Sequence, residues 1–552
     1  MFIRKVHIEN FKIFKGSFDF TLKQGVNILV GDNEAGKSTI IEAIHLALTG
    51  LYHGKYLKNE LSQYIFNNEI VAEYINCLET GNALSPPHIL IELFMDGDDL
   101  AEFEGDGHTE KPNKANGVSL KIAFDEKYQA EYNELLKGGN IKTLPIEYYN
   151  ISWTSFARDE GITPKTIPIK SALIDSASNK QQNGSDIYIS RIIRDLLDSE
   201  EVVRISQAHR MMKDSFMGHD AISAINNKIK SASQISDKKV ELSVELSSKN
   251  AWENSLVTCI EDIPFSNIGK GEQCLIKTKL ALGHKKTKEA NIILLEEPEN
   301  HLSHTKLNQL ISDITKDNHN KQILISTHNS FVANKLGLEN LILLNNKKTA
   351  PLRDLSQNTL QFFRKLSGYD TLRLILCKKV ILVEGDSDEL IVQKAFMLKN
   401  DGKLPIEKGV DVISVGTSFL RFLEIAEKIQ KQVTVVTDND GSIEALNEKY
   451  KNYLGENKKE FINICFDDTV DTGNLEISGK NFNYNTLEPK MLKANGRTNV
   501  NTILGTSYGN DDELHKYMKG HKTECALKFF DTTEKIVFSE YILEAIGLNG
   551  QQ

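Results

Sequence analysis

The octet Gly31-Asp32-Asn33-Glu34-Ala35-Gly36-Lys37-Ser38 constrains this chain more than any other segment, because it stands where a strand gives way to a helix. The apolar run Val26-Asn27-Ile28-Leu29-Val30 precedes it, and Ile40, Ile41, Ala43, Ile44, Ala47 and Leu48 follow at helical spacing. Strand, glycine loop and helix in that order make a P-loop. Backbone N–H groups of the loop and helix start can cradle phosphates, Lys37 can reach the outer phosphates, and the Ser38 hydroxyl can bind Mg²⁺. A glycine turn that only caps a helix is the bland alternative. Either way, the N-terminal region must hold an α/β core.

At 552 residues the chain has material for two to four domains with proper cores. Hydrophobic content of 40%, charged content of 26% and mean hydropathy of −0.34 predict a globular chain without long disordered tracts. No stretch approaches the roughly 18 apolar residues of a membrane span. The start Met1-Phe2-Ile3-Arg4-Lys5 lacks a signal-peptide core, so a cytoplasmic protein with no membrane partner is expected. Cys77, Cys259, Cys274, Cys377, Cys465 and Cys525 have no zinc-like spacing and read as thiols in a reducing compartment. A net charge of −10 excludes a surface coated everywhere for phosphate binding, yet leaves room for a local basic groove. The lysines at 285, 286 and 288, and at 516, 519, 522 and 528, read first as solvated faces.

Phe2–Ile8, Gly16–Phe20, His88–Phe94 and Val118–Phe124 predict antiparallel strands, with 96–116 a polar loop between the last two. Across 156–250 the texture turns helical: Ile187–Met217 and His219–Ile235 carry apolar residues at helical spacing, and Asn179–Ser185 reads as an exposed loop. Asn291–Leu295 and Lys321–Ile325 are short apolar runs suited to buried parallel strands, with a helix over Thr305–Thr315 between them. A second α/β unit opens near Lys378, with runs at Val380–Val383, Val410–Val415 and Val433–Val436. The resulting division is 1–155 and 251–370 for a split first domain, 156–250 for a helical insertion, and 371–552 for the last domain.

Partners for the P-loop come later. Ile292-Ile293-Leu294-Leu295-Glu296-Glu297-Pro298-Glu299 is an apolar strand ending in acids, as in a Walker B segment: the first acid helps hold Mg²⁺ and the second orients water. His328 ends the run Ile323-Leu324-Ile325-Ser326-Thr327, where it could meet a γ-phosphate or be simply structural. Asn267-Ile268-Gly269-Lys270-Gly271-Glu272-Gln273 reads as a glycine turn before a helix over Cys274–Leu282. This order resembles the ABC-type ATPases of the SMC and RecF group. The resemblance implies that ATP contacts Gly31, Asn33, Gly36, Lys37, Ser38 and Thr39 in one head. Gly269 and Gly271 would supply the signature of another, and Glu296, Glu297 and His328 would complete the hydrolytic site. Lys270 departs from the small-residue signature and Glu296 from the usual aspartate, which makes slow turnover or a binding switch plausible.

Val380-Ile381-Leu382-Val383 ends in Glu384-Gly385-Asp386-Ser387-Asp388, and Val435-Val436-Thr437 ends in Asp438-Asn439-Asp440. Two adjacent strands ending in carboxylates can hold hard cations, since Mg²⁺ takes oxygen ligands and keeps several waters. A pair of such ions can activate water and stabilise a leaving oxygen. Aspartates in turns are the bland reading.

The second unit looks like a TOPRIM domain. An ABC-type head followed by TOPRIM resembles the OLD (overcoming lysogenisation defect) family of nucleases, as does the Glu296-Glu297-Pro298-Glu299-Asn300-His301-Leu302 form of Walker B. The implied fold is an α/β ABC-type P-loop head with a helical dimerisation insertion, followed by a Rossmann-like TOPRIM domain. The resemblance also implies metal binding by Glu384, Asp388, Asp438, Asp440 and Glu488, with Lys522 stabilising charge at the scissile phosphate. Read without the family, Glu488 could be a helix-start acid before Pro489, and Lys522 a solvated lysine.

The expected activity is ATP-regulated DNA cleavage, dependent on Mg²⁺ or on Mn²⁺ in its place, by a homodimer or higher oligomer. Its expected setting is anti-phage defence, with a helicase or a retron reverse transcriptase as partner. An ATP-switched sensor or scaffold is the alternative of a different class. A primase or topoisomerase reading ranks last, for want of zinc-binding or strand-passage tyrosine context.

Overall fold

The computed structural model describes the chain apart from residues 80–84, 112, 139–140, 176–180, 183–184, 187–196, 233–241, 243–251, 253–256, 284, 318–319, 346–347, 353–354, 367–370 and 548–552. It divides into two compact units, Met1–Leu29 with Glu34–Thr327, and Val30–Asn33 with His328–Gln552.

The chain begins with β1 (Phe2–Glu9), β2 (Ser17–Thr21), β3 (Val26–Gly31) and α1 (Lys37–Thr49). The longer strands that follow are β4 (Ile89–Asp96), β5 (Ala115–Phe124), β6 (Tyr149–Ser155) and β7 (Ser171–Asp175). An antiparallel sheet runs β2-β1-β4-β5, with β6 also on β5. Its register pairs Ile8 with Phe18 on one side and with Ile91 on the other. Alternation of buried and exposed residues in β2 shows why the period-two pattern was legible.

The insertion contributes α2 (Ser199–Met217) and α3 (Asp220–Ala232). A helix from Ile187 was expected, but 187–196 lies outside the described residues. The described helix starts at Ser199, where Asp198 and Glu201 form a reciprocal capping box: each side chain accepts the other's backbone N–H, at 2.8 and 2.9 Å. The expected loop at 179–185 is described only in part, with Gln181–Gln182 paired to Ser185–Asp186. Segment 156–250 is not wholly helical. Its β7 joins a parallel sheet, and Ser171-Ala172-Leu173-Ile174-Asp175 is too short an apolar run to betray a strand by itself.

Then come α4 (Lys270–Gly283), β8 (Ile292–Glu296), α5 (His304–Asp317) and β9 (Gln322–Thr327). Within a six-stranded sheet the order runs β7-β8-β9-β3, with β7, β8 and β9 parallel. Ile292 to Leu295 are fully buried. Such burial on both faces explains an uninterrupted apolar run, and each side chain contributes about 1.5–3 kcal/mol.

The C-terminal unit is built on β10 (Lys379–Val383), α6 (Asp386–Lys399), β11 (Val410–Ser414), α7 (Phe419–Lys428), β12 (Gln432–Val436) and β13 (Ile462–Cys465). All four strands are parallel, in the order β11-β10-β12-β13. The chain leaves β10 toward one side and returns on the other, so a topological switch point falls between β10 and β12. Crevices for ligands form there, beyond the carboxyl ends of the strands. Around the sheet lie α8 (Leu487–Asn495), α9 (Arg497–Leu504), α10 (Asp511–Gly520), α11 (Lys522–Asp531) and α12 (Glu540–Ala545). Lys394 on α6 ties down the far end of α11, donating to Phe530 O at 2.7 Å and Thr532 O at 2.8 Å. No helix among the described residues is long and apolar enough to cross a membrane.

Candidate active site

Glu384 follows β10, and Asp438 and Asp440 follow β12, so all three leave the sheet at its switch point. Asp388 lies in the first turn of α6, where its Oδ2 accepts the Gly385 N–H at 3.1 Å. Glu488 is in the first turn of α8, as the helix-start reading had it, but its side chain is buried and accepts a hydrogen bond from Lys522 Nζ at 3.1 Å. Lys522, the first residue of α11, is therefore not simply a solvated lysine.

The electrostatics report how close these groups stand. Burial pushes the Asp438 carboxyl up to about 8, reinforced by the charges of Asp388, Glu384, Glu488 and Asp440. Burial likewise raises Asp388 to about 6, against the Gly385 N–H and with the charges of Glu488 and Glu384. For Lys522, burial acts downward, but Glu488, Asp438 and Asp388 outweigh it and hold its ammonium above the ordinary lysine value. Asp438 thus lies in the field of four other carboxylates, and Lys522 in that of Glu488, Asp438 and Asp388.

A hard divalent cation fits this donor set, which offers only oxygen and carries excess negative charge. Among the described residues no three such side chains already stand at chelating distance. Glu384 and Asp440 are exposed, whereas Glu488 is buried and bonded to Lys522.

A clamp that sequence reasoning missed sets the geometry. Asn439, between the two aspartates, is buried and donates to Asp467 O at 2.6 Å and Thr469 O at 2.9 Å. Lys490, two residues after Glu488 and only 3% exposed, holds the same loop through Asp467 at 2.9 Å and Asp471 at 2.7 Å. Asn485 closes it, accepting the Asp471 N–H at 2.7 Å and donating to Asp471 O at 2.8 Å. Asn483 Nδ2 donates to Asp440 Oδ1 at 3.0 Å. One signal could have found the loop: Ile462-Asn463-Ile464-Cys465 is a third strand followed by acids, Asp467, Asp468 and Asp471.

The P-loop residues run from the end of β3 into the first turn of α1. Gly31 ends β3, Asn33 lies in the loop, and Gly36 precedes α1 with φ 105°. A side chain at Gly36 would place its Cβ 2.5 Å from Ile13 Cδ1 and 2.8 Å from Phe14 Cζ, so only glycine serves. Lys37 is buried, Ser38 exposed and Thr39 buried in the first turn. Glu296 ends β8 and Glu297 follows with φ 40°, its N–H bonded to Ser326 O at 3.0 Å and its carboxylate to Asn300 Nδ2 at 2.9 Å. His328 is exposed just after β9.

The signature segment corrects the expectation. The helix begins at Lys270, four residues earlier than Cys274, and Gly271 lies inside its first turn. Its missing side chain permits this, because a Cβ there would come within 2.3 Å of His301 O. Gly269 directly precedes the helix.

A family model described as an AAA domain matches residues 5–317, more than half of the chain. The chain belongs to that AAA domain family. A second model, described as the TOPRIM domain of overcoming lysogenization defect-like proteins, matches residues 375–440. An AAA domain followed by this TOPRIM domain is the OLD-type ATPase–TOPRIM architecture; the two matches take in the P-loop, Glu296, Glu297, Glu384, Asp388, Asp438 and Asp440, and leave His328, Glu488 and Lys522 outside. Similarity to a retron Ec83 probable ATPase of Escherichia coli reaches 46% identity over 50 residues, 9% of this chain and 9% of that protein.

Solved structures similar to the chain include an Smc head bound to the C-terminal winged-helix domain of ScpA, at 15% identity and TM-score 0.31, over 63% of this chain and 96% of that one. Another is an Smc head with an extended coiled coil bound to the C-terminal domain of ScpA from Pyrococcus furiosus, at 12% identity and TM-score 0.31, over 66% and 99%.

Proposed function

We propose that the protein is a Mg²⁺-dependent DNA endonuclease whose cutting is regulated by ATP. The observation that supports this reading is the placement of Glu384, Asp438 and Asp440 at the ends of two adjacent strands, with Asp438 buried among the charges of Asp388, Glu384, Glu488 and Asp440 and with Lys522 bonded to Glu488 at 3.1 Å. In this reading the carboxylates hold divalent ions, which supply an activated water and charge stabilisation for phosphodiester cleavage. Lys522 then faces the scissile phosphate, and its Glu488 partner keeps it aimed. Asn439 and Lys490 hold the acidic strand ends in register.

At the P-loop, Lys37 and Ser38 would contact ATP phosphates and their Mg²⁺, Glu296 would share the ion, and Glu297 would orient water. Gly269 and Gly271 would approach the nucleotide of a second copy. The exposed Val203, Met211, Met212 and Phe216 of α2 support a dimerisation role for the insertion. A retron ATPase among the similar proteins supports a place in anti-phage defence, with a nucleic-acid-associated partner.

Plasmid cleavage with Mg²⁺ or Mn²⁺, with and without ATP, tests the proposal. The parent should cut, Glu384→Ala should not, and Lys37→Ala should lose nucleotide dependence. Equal cutting by parent and Glu384→Ala would remove the assignment. No cutting under any condition, with ATP binding intact, would favour a sensor or scaffold.

A further inference from the structure

The C-terminal unit contains a cavity of about 370 Å³ that the proposed chemistry does not use. It is lined by Asp471, Tyr484, Lys493, Arg497, Asp511 and His515, among others. One lining residue, Asp471, is held by Lys490 and Asn485 of the loop beside Asn439, and two others neighbour residues of the proposed centre in sequence. Pro489, which lines it, adjoins Glu488; Tyr484, which lines it, adjoins Asn483, the donor to Asp440.

The chemistry of the lining narrows the occupant. Lys493 is paired with Asp471 at 2.5 Å and Arg497 with Asp511 at 3.5 Å, so charge is balanced and a bare anion gains little. His515 adds none, because burial holds its imidazole below the ordinary value. The rings of Tyr484 and His515 meet at 88° with centroids 5.4 Å apart, forming an aromatic corner. Aromatic rings together with both donors and acceptors suit a flat, neutral heterocycle. The size falls within the range of small-molecule sites.

We propose that this cavity receives one unstacked nucleobase of the DNA strand whose phosphate lies at the acidic centre. The substrate is then single-stranded or locally opened DNA, because a base inside a duplex cannot reach such a cavity. This inference rests on the nuclease reading for its choice of ligand, but its test does not require cutting.

The test scans a single abasic residue along a short single-stranded oligonucleotide and measures affinity for the full-length protein by fluorescence anisotropy in Ca²⁺. Base stacking in such sites makes the expected loss roughly 5- to 100-fold at one position. Lys493→Ala with Arg497→Ala, both at exposed side chains, should flatten the profile while weakening the intact strand. Profiles without a sensitive position in the parent, or with the same sensitive position in parent and variant, would overturn the proposal. A sensitive position in a protein that never cuts would leave the cavity assignment standing and remove the nuclease reading.

Discussion

Neutralising Asp438 should stabilise the metal-free protein, although the residue lies at the centre of the proposed chemistry. The folded carboxyl titrates at about 8 and the unfolded one near 3.8. Between those values the native state keeps a proton that the unfolded chain has lost, so stability falls as pH rises through that window. At ~1.4 kcal/mol per pH unit the full difference is on the order of 5–6 kcal/mol. Asp438 is partly accessible, and water and salt screen exposed neighbours such as Glu384, so about 2–4 kcal/mol is expected in Asp438→Asn. Thermal unfolding in EDTA at low ionic strength, from pH 5 to 9, reads this directly. At pH 8.5 the transition of the C-terminal unit should rise by roughly 5–15 °C over the parent, with the gap closing toward pH 5. Mg²⁺ should then stabilise the parent and leave the variant almost unmoved. If Asp438→Asn unfolds at or below the parental temperature at pH 8.5 in EDTA, the shared field of carboxylates is not as described.

Lys490→Met should cost about 3 kcal/mol in denaturant unfolding, because it strands Asp467 without its buried cation while Asp471 keeps Lys493. Burial would raise both acids, but Thr469 and Lys490 at Asp467, and Lys490 and Lys493 at Asp471, hold them below the ordinary value. The parent therefore keeps this contribution above about pH 4 and loses it as pH falls further, while the variant should begin its acid loss at higher pH. Gly36→Ala should abolish nucleotide binding measured by calorimetry, since the left-handed backbone and the Ile13 and Phe14 contacts leave a methyl no room. Lys522→Met should lower kcat by roughly 10²- to 10³-fold with little change in KM, the pattern of charge stabilisation confined to the transition state.

The parallel strands were legible because burial on both faces demands unbroken apolar runs such as Ile292–Leu295 and Val380–Val383. The P-loop and the acids after β10 and β12 were legible because glycine and carboxylate positions follow directly from strand ends. What stayed hidden depends on contacts distant in sequence. Lys490 and Asn439 reveal their roles only when β13 brings Asp467–Asp471 to them. β7 carries too few apolar residues to stand out, and the start of α4 depends on His301 approaching Gly271.

Single-turnover cleavage of supercoiled plasmid across a Mg²⁺ titration, in parent and Asp438→Ala, puts the acidic centre to its plainest test. Cutting that rises with Mg²⁺ in the parent and stays at least ~10³-fold slower in the variant at every concentration is the expected result. Parental rates in Asp438→Ala would contradict it.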